Sequence, residues 1–349
     1  MTDAVQTMLR SDAATPVAER CVTSYPVRRA FRPGVIYPPA IPGVAGMIDI
    51  HCHSHEGQQD ALSLAKVASE NRMGGLLFKT VGPISGTEYR PALVVNGIRE
   101  QLNQWSDETD IAATGCWAGY GITMDNRPPT RARVALNIAD GISAVWLPVF
   151  NHANTLFKVG GKRVWWDKTA DPADHSAPLS WEEALRCGYY LLDAHGKLKP
   201  EIADILRLVA DANVALFFGH ATHPEIFAIV EFLDKLKFRR AVIDHPFSPF
   251  VDLDIPLMKQ LTAAGVYLNF TYDELSPLLG VDPARMYEAI RAVGVEYVTL
   301  SSDAGEPLFP NSAECMRLVS SYMSAFGLNA QEIDTVCHRN PARLLGLDC

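Results

Sequence analysis

The sequence has no CxxC pair, no glycine-rich phosphate loop and no long apolar run. Its seven cysteines (Cys21, Cys52, Cys116, Cys187, Cys315, Cys337 and Cys349) are odd in number and scattered. Neither a disulfide framework nor a thiolate zinc site is therefore expected. No stretch approaches the ~20 apolar residues of a transmembrane helix. The first twenty residues carry acids and no apolar core, so a secretory signal is not expected either. Positive charge is also short: 31 Lys and Arg stand against 40 Asp and Glu, a net charge of −9. That balance argues against a nucleic-acid partner held by long-range attraction to phosphate, although a local basic pocket stays compatible with it. The expectation is a cytoplasmic protein with neither membrane nor nucleic acid as partner.

What is present is globular. The 349 residues are 48% hydrophobic and 20% charged, enough for a sizeable core. Residues 1–45 include the proline- and arginine-rich "YPVRRAFRPGVIYPPAIPG", which reads as an extended N-terminal arm because each proline fixes φ and removes a donor. From 46 onward, apolar and β-branched runs alternate with stretches of helical period. The runs are 46–53, 74–80, 110–120, 141–150, 214–220, 239–246, 265–272 and 296–305. Between several of them lie helical segments such as "PEIADILRLVADAN" and "DLDIPLMKQLTAAG". Eight parallel strands in series predict an α/β fold, a (β/α)8 TIM-type barrel forming one domain over 46–349. The strand-bearing span of 260 residues, from 46 to 305, fits the ~250 of a typical barrel. Residues 151–199 form a long insertion after strand four, with a hairpin expected at "FKVGGKRVWW". "GLNAQEIDTVCHRNPARLLGL" reads as helix, turn and helix closing the barrel.

Polar residues gather where the strands end. The first run closes on His51-x-His53 and the second on Lys79. The fourth runs into Asn151 and His152, the fifth closes on His220, the sixth on His245 and the eighth on Asp303. In such a barrel these ends converge on one mouth. Residues i and i+2 of a strand share a face, with Cα atoms ~6.6 Å apart at ~3.3 Å per residue. Two imidazoles so placed can lean onto one metal. The same alternation points Asp49 inward and Cys52 outward. A lone HxH is often structural, but four imidazoles and a carboxylate in one mouth would leave costly unpaired polar groups without a metal. His55 continues the alternation beyond the strand end. His223 precedes Pro224, which suggests a loop and a secondary role in the site. His152 and Asn151 are candidate substrate contacts. Trp165 and Trp166 are candidates for an apolar lid, with packing inside the insertion the competing reading. Arg90 and Lys162 could meet an anionic substrate, or simply be exposed charge.

Taken in order, "DIHCH", "FFGH", "VIDH" and "LSSD" resemble the amidohydrolase superfamily across about 260 residues. "LLFKT", "VWLPVF" and "NPARLLGL" are similar to a little-characterised branch of metal-dependent hydrolases. The resemblance implies that His51, His53 and Asp303 hold one divalent metal, zinc first and manganese or iron next. His220 and His245 would hold a second. Many two-metal relatives bridge the ions with a carboxylated lysine of strand four, which this chain lacks near that strand's end. Lys79 on strand two could be such a bridge from an unusual strand, a substrate-binding ammonium, or a lysine snorkelling to solvent. Without a bridge, one ion on His51, His53, His220 and Asp303 is implied, with His245 polarising the substrate. So implied, the function is a metal-dependent hydrolase. It would use metal-activated water to cleave an amide, cyclic amide or imide, lactone or related bond of a small molecule, with Asp303 as base.

A mononuclear metal-dependent decarboxylase of the same superfamily is the leading alternative. Metal-dependent phosphoesterases usually finish with a DxH-like pair, where this chain has "SSDAG". TatD-type nucleases use a glutamate on strand four, which "AVWLPVFN" lacks. A non-catalytic metal-binding scaffold is the reading from outside enzymology. The arm, too short in strand-like sequence for the β-sandwich of many cyclic-amide hydrolases, suggests a homo-oligomer.

Overall fold

The computed structural model describes residues 43–54, 59–81, 90–122, 129–159, 179–305 and 309–347. Eight strands are arranged in sequence order, each parallel to the next: β1 (Ile48–Ser54), β2 (Gly75–Val81), β3 (Gly115–Gly121), β4 (Ala144–Trp146), β5 (Ala215–Phe217), β6 (Ala241–Asp244), β7 (Tyr267–Thr271) and β8 (Val298–Ser301). The ring closes where β8 meets β1. Asp303 N donates to His51 O at 2.8 Å, and His53 N donates to Ala304 O at 2.7 Å. Helices fill the connections, so the chain is the (β/α)8 barrel that the alternation predicts. Each of the eight expected runs overlaps one strand.

Both faces of the strands are buried, which explains why they read as continuous apolar runs. Ile48, Ile50, Leu77, Trp146, Phe217 and Val242 fill the lumen, where Trp146 stacks on Phe217 with centroids 4.1 Å apart. Ala342 and Leu344 join this cluster and close the floor. The outward residues, Cys52, Leu76 and Phe78 among them, pack in a separate cluster with the surrounding helices.

β1 departs from simple alternation. Its register on β2 shifts between Asp49 and Cys52 and again between Cys52 and His53. Ile50 and His51, adjacent in sequence, both border the lumen: Ile50 lies in its core cluster, and the His51 ring is 5.6 Å from that of Trp146. A bulge of this kind re-aims a side chain. It also corrects the expected direction of Asp49, which points out of the barrel and accepts from Ser302 and Ser312. Cys52 faces outward as expected.

The insertion holds helices at Ala153–Val159 and Trp181–Cys187. Residues 157–159 are thus helical, not the start of a hairpin, and the rest of that expected hairpin, with Trp165 and Trp166, lies outside the described residues. So do His55, Lys162 and the arm up to residue 42. No loop separates the two closing helices: Ala330–Asp334 passes through a π-helical turn, Thr335–Arg339, into Asn340–Leu345.

Candidate metal centre

At the strand C-termini three donor atoms converge. The His51 and His53 Nε2 atoms each lie 3.1 Å from Asp303 Oδ1, and one donor atom from each residue falls within 4.8 Å of the others. Two ligands bound at ~2.0–2.1 Å and subtending ~90–110° stand ~2.9–3.4 Å apart, so the spacing suits one divalent cation. His51 is fully buried, while His53 and Asp303 are largely so. Close approach of the β8 end shapes the site: a Cβ on Gly305 would lie 2.5 Å from that of His53. Asp303 has φ 49° and His245 has φ 34°. Left-handed non-glycine residues are costly, and they cluster at functional sites.

Lys79 joins this cluster instead of snorkelling to solvent. It is 4% exposed, and its Nζ lies 3.0 Å from His51 Nε2 and 5.7 Å from the centre of the Trp146 ring. Burial lowers its pKa, opposed by the carboxylates of Asp303, Asp244 and Asp273. Burial alone would raise Asp303, but His51, His53 and Lys79 together hold it well below the usual carboxylate range. The donor set therefore suits a cation.

His220 and His245 flank the triad, their rings 5.3 Å apart and that of His245 6.2 Å from His51. Burial pushes both imidazoles below their ordinary range, His220 furthest. Both Nδ1 atoms are engaged, His220 with Thr155 Oγ1 at 2.7 Å and His245 with Ser248 Oγ at 2.9 Å. Nε2 is the nitrogen left on each. Gly219, at φ +59° with Leu147 O and Pro148 O each 2.5 Å from where its Cβ would stand, makes the turn into His220 possible.

Asp244 is the residue that sequence reasoning missed. It is fully buried, with Oδ1 3.1 Å from His51 Nδ1. The contact runs off the N–H axis, so Nδ1 has no straight hydrogen bond. Trp146 Nε1 donates to Asp244 Oδ2 at 2.9 Å and Asn269 Nδ2 to Oδ1 at 2.8 Å. Thr299 in turn donates to Asn269. Burial opposes ionisation of Asp244, yet His51 and the other nearby positive groups hold its pKa down at about 2. A carboxylate at Nδ1 leaves Nε2 to face the cluster, the usual arrangement behind a metal-ligating histidine. The signal was available: Val242 and Asp244 alternate onto the lumen.

Other expected residues fall elsewhere. Both nitrogens of His152 are occupied, Nδ1 accepting from Asn154 N and Nε2 donating to Glu225, which leaves neither for a substrate. Asn151 is buried with Oδ1 unpartnered and its carbonyl accepting from Tyr189 N. His223 Nε2 donates to Val251 O at 2.7 Å. Arg90 pairs with Asp140.

Solved structures of known proteins share this architecture. An amidohydrolase from Pseudomonas aeruginosa matches with TM-score 0.55 and 10% identity over 86% of this chain and 95% of that one. The chain has the same barrel fold as that structure. A probable dipeptidase from the same organism matches with TM-score 0.50 and 13% identity over 86% and 94%. An apo structure from Agrobacterium tumefaciens gives 0.50 and 11% over 89% and 98%. At these identities the likeness to amidohydrolase barrels concerns the fold. A family of unknown function, DUF6282, matches residues 129–269, a stretch holding His220, Asp244 and His245 but neither the HxH pair nor Asp303. No curated protein matches the sequence.

Proposed function

We propose that this chain is a metal-dependent hydrolase acting on an amide, cyclic amide or imide, lactone or related bond of a small molecule. One observation carries the reading: His51 Nε2, His53 Nε2 and Asp303 Oδ1 converge at the C-terminal mouth of the barrel. A divalent ion held there, zinc first and manganese or iron next, would lower the pKa of a coordinated water toward neutrality and polarise a carbonyl. One ion would rest on the triad; a second would draw on His220 and His245.

Asp303 stays ionised because His51, His53 and Lys79 surround it. In this reading it accepts a proton from the attacking water and delivers it to the leaving nitrogen or oxygen. His245 polarises the substrate where it is not a ligand. Lys79 supplies either a carboxylated bridge between ions or an ammonium for a substrate anion. The buried walls around Trp146 and Phe217 keep the region beneath the ligands dry, which strengthens these interactions. The reading extends to a cytoplasmic homo-oligomer.

The test is turnover by metal-loaded protein against a panel of cyclic amides, linear amides and lactones, with carboxylic acids included. Hydrolysis abolished by Asp303→Asn supports the proposal. CO₂ release from an acid with no hydrolysis anywhere in the panel would replace it with the decarboxylase.

A further inference from the structure

The helix Ala153–Val159 opens seven residues after β4 ends, and its first turn grips two neighbouring loops. Asn154 Nδ2 donates to His220 O at 3.0 Å and to Phe250 O at 2.6 Å. Phe250 lies flat on the His220 imidazole, centroids 4.0 Å apart and planes within 5°. The ring is thus boxed before any ligand is considered.

The hydrogen bond of Thr155 carries more information than its position. The Thr155 hydroxyl donates to Val149 O and lies 2.7 Å from His220 Nδ1. A hydroxyl has one proton and a carbonyl has none to give. With that proton spent on Val149, the proton between Thr155 and His220 must sit on Nδ1. Neutral histidine in water prefers the opposite tautomer, so the preference here is imposed by the protein. The neutral ring then has its lone pair on Nε2. His152 shows the contrast, since a backbone N–H forces its lone pair onto Nδ1 and its proton onto Nε2.

We propose that Thr155 is a positioning residue. It fixes His220 as the Nδ1–H tautomer so that Nε2 is presented to a divalent cation. The insertion after β4 therefore does more than border the barrel mouth: its first helix sets the donor atom of a histidine in the turn after β5. This rests on the metal reading above for its purpose, but the tautomer itself can be observed without any metal.

Three proteins decide it: wild type, Thr155→Val, which removes the hydroxyl, and Thr155→Ser, which keeps it. Long-range ¹H–¹⁵N spectra of metal-stripped protein, with His220 assigned through His220→Gln, report which nitrogen is protonated. Wild type and Thr155→Ser should show the Nδ1–H form, and Thr155→Val should shift toward Nε2–H. Zinc affinity, measured by competition with a chromophoric chelator, should fall ~10–100-fold in Thr155→Val and recover in Thr155→Ser. The proposal is overturned if Thr155→Val keeps the wild-type tautomer or zinc affinity, or if Thr155→Ser behaves like Thr155→Val. Failure of the metal reading looks different: zinc binds to none of the three, while the tautomer still follows the hydroxyl.

Discussion

Lys79 Nζ and His51 Nε2 lie 3.0 Å apart, joining the second barrel strand to the first at the rim of the mouth. A strand-end lysine ordinarily runs out to water. This one is held in by packing beside Trp146 and by the carboxylates of Asp303 and Asp244. Lys79→Met keeps the length and apolar stem but removes the nitrogen. We expect a folded protein with kcat/KM lowered at least ~100-fold, the lower end for a group acting directly on the reaction. Circular dichroism and steady-state kinetics check this together, and unchanged kinetics would remove Lys79 from the site.

Asp303 touches both His51 and His53 through one oxygen. Asp303→Asn preserves the shape and removes the charge and the base. Turnover should fall ~100- to 10,000-fold while thermal unfolding stays cooperative. Wild-type turnover in this variant would eliminate Asp303 as the base.

Asp244 acts through His51. An asparagine there offers one acceptor to Trp146 and Asn269, where the carboxylate offers two. Asp244→Asn should cost about 1–3 kcal/mol of stability, because a buried donor loses its partner. It should also weaken metal binding ~10–100-fold through the freed His51 ring. Denaturant unfolding and chelator competition measure the two effects separately, and a variant unchanged in both would make the network incidental.

Burial holds the His220 pKa well below that of a free imidazole. Between the two values the unfolded chain binds a proton that the folded chain does not. Stability of the metal-free protein must then rise with pH in that window and fall as pH drops through ~6.5. The slope from this one group is at most ~1.4 kcal/mol per pH unit. Urea unfolding of metal-free protein from pH 5 to 7 should show it, and His220→Asn should flatten it. A slope unaltered by that substitution would assign the dependence to other groups.

The barrel was legible because buried parallel strands leave apolar runs that need no knowledge of contacts. The positions of His51, His53, His220, His245 and Asp303 were legible for the same reason, each closing such a run. Asp49 was misdirected because alternation assumes an unbroken ladder, and the register shift beside it depends on how β1 pairs with β2. Asp244 was passed over because its neighbour His245 matched the expected strand end; only the fold brings its carboxylate to His51. His152 looked like a mouth residue by position, but its two nitrogens are claimed by Asn154 and Glu225, the latter 73 positions away. Contacts of that range leave no mark on local pattern.

The central claim is that His51, His53 and Asp303 hold a divalent cation. Elemental analysis of protein purified without chelator tests it most directly, alongside a His51→Asn, His53→Asn double variant. The account predicts about one to two equivalents of a divalent transition metal in wild type, with the ion of the triad lost in the variant. Fewer than ~0.2 equivalents in wild type, with no gain on reconstitution, would contradict it, because water activation of this kind requires a bound ion.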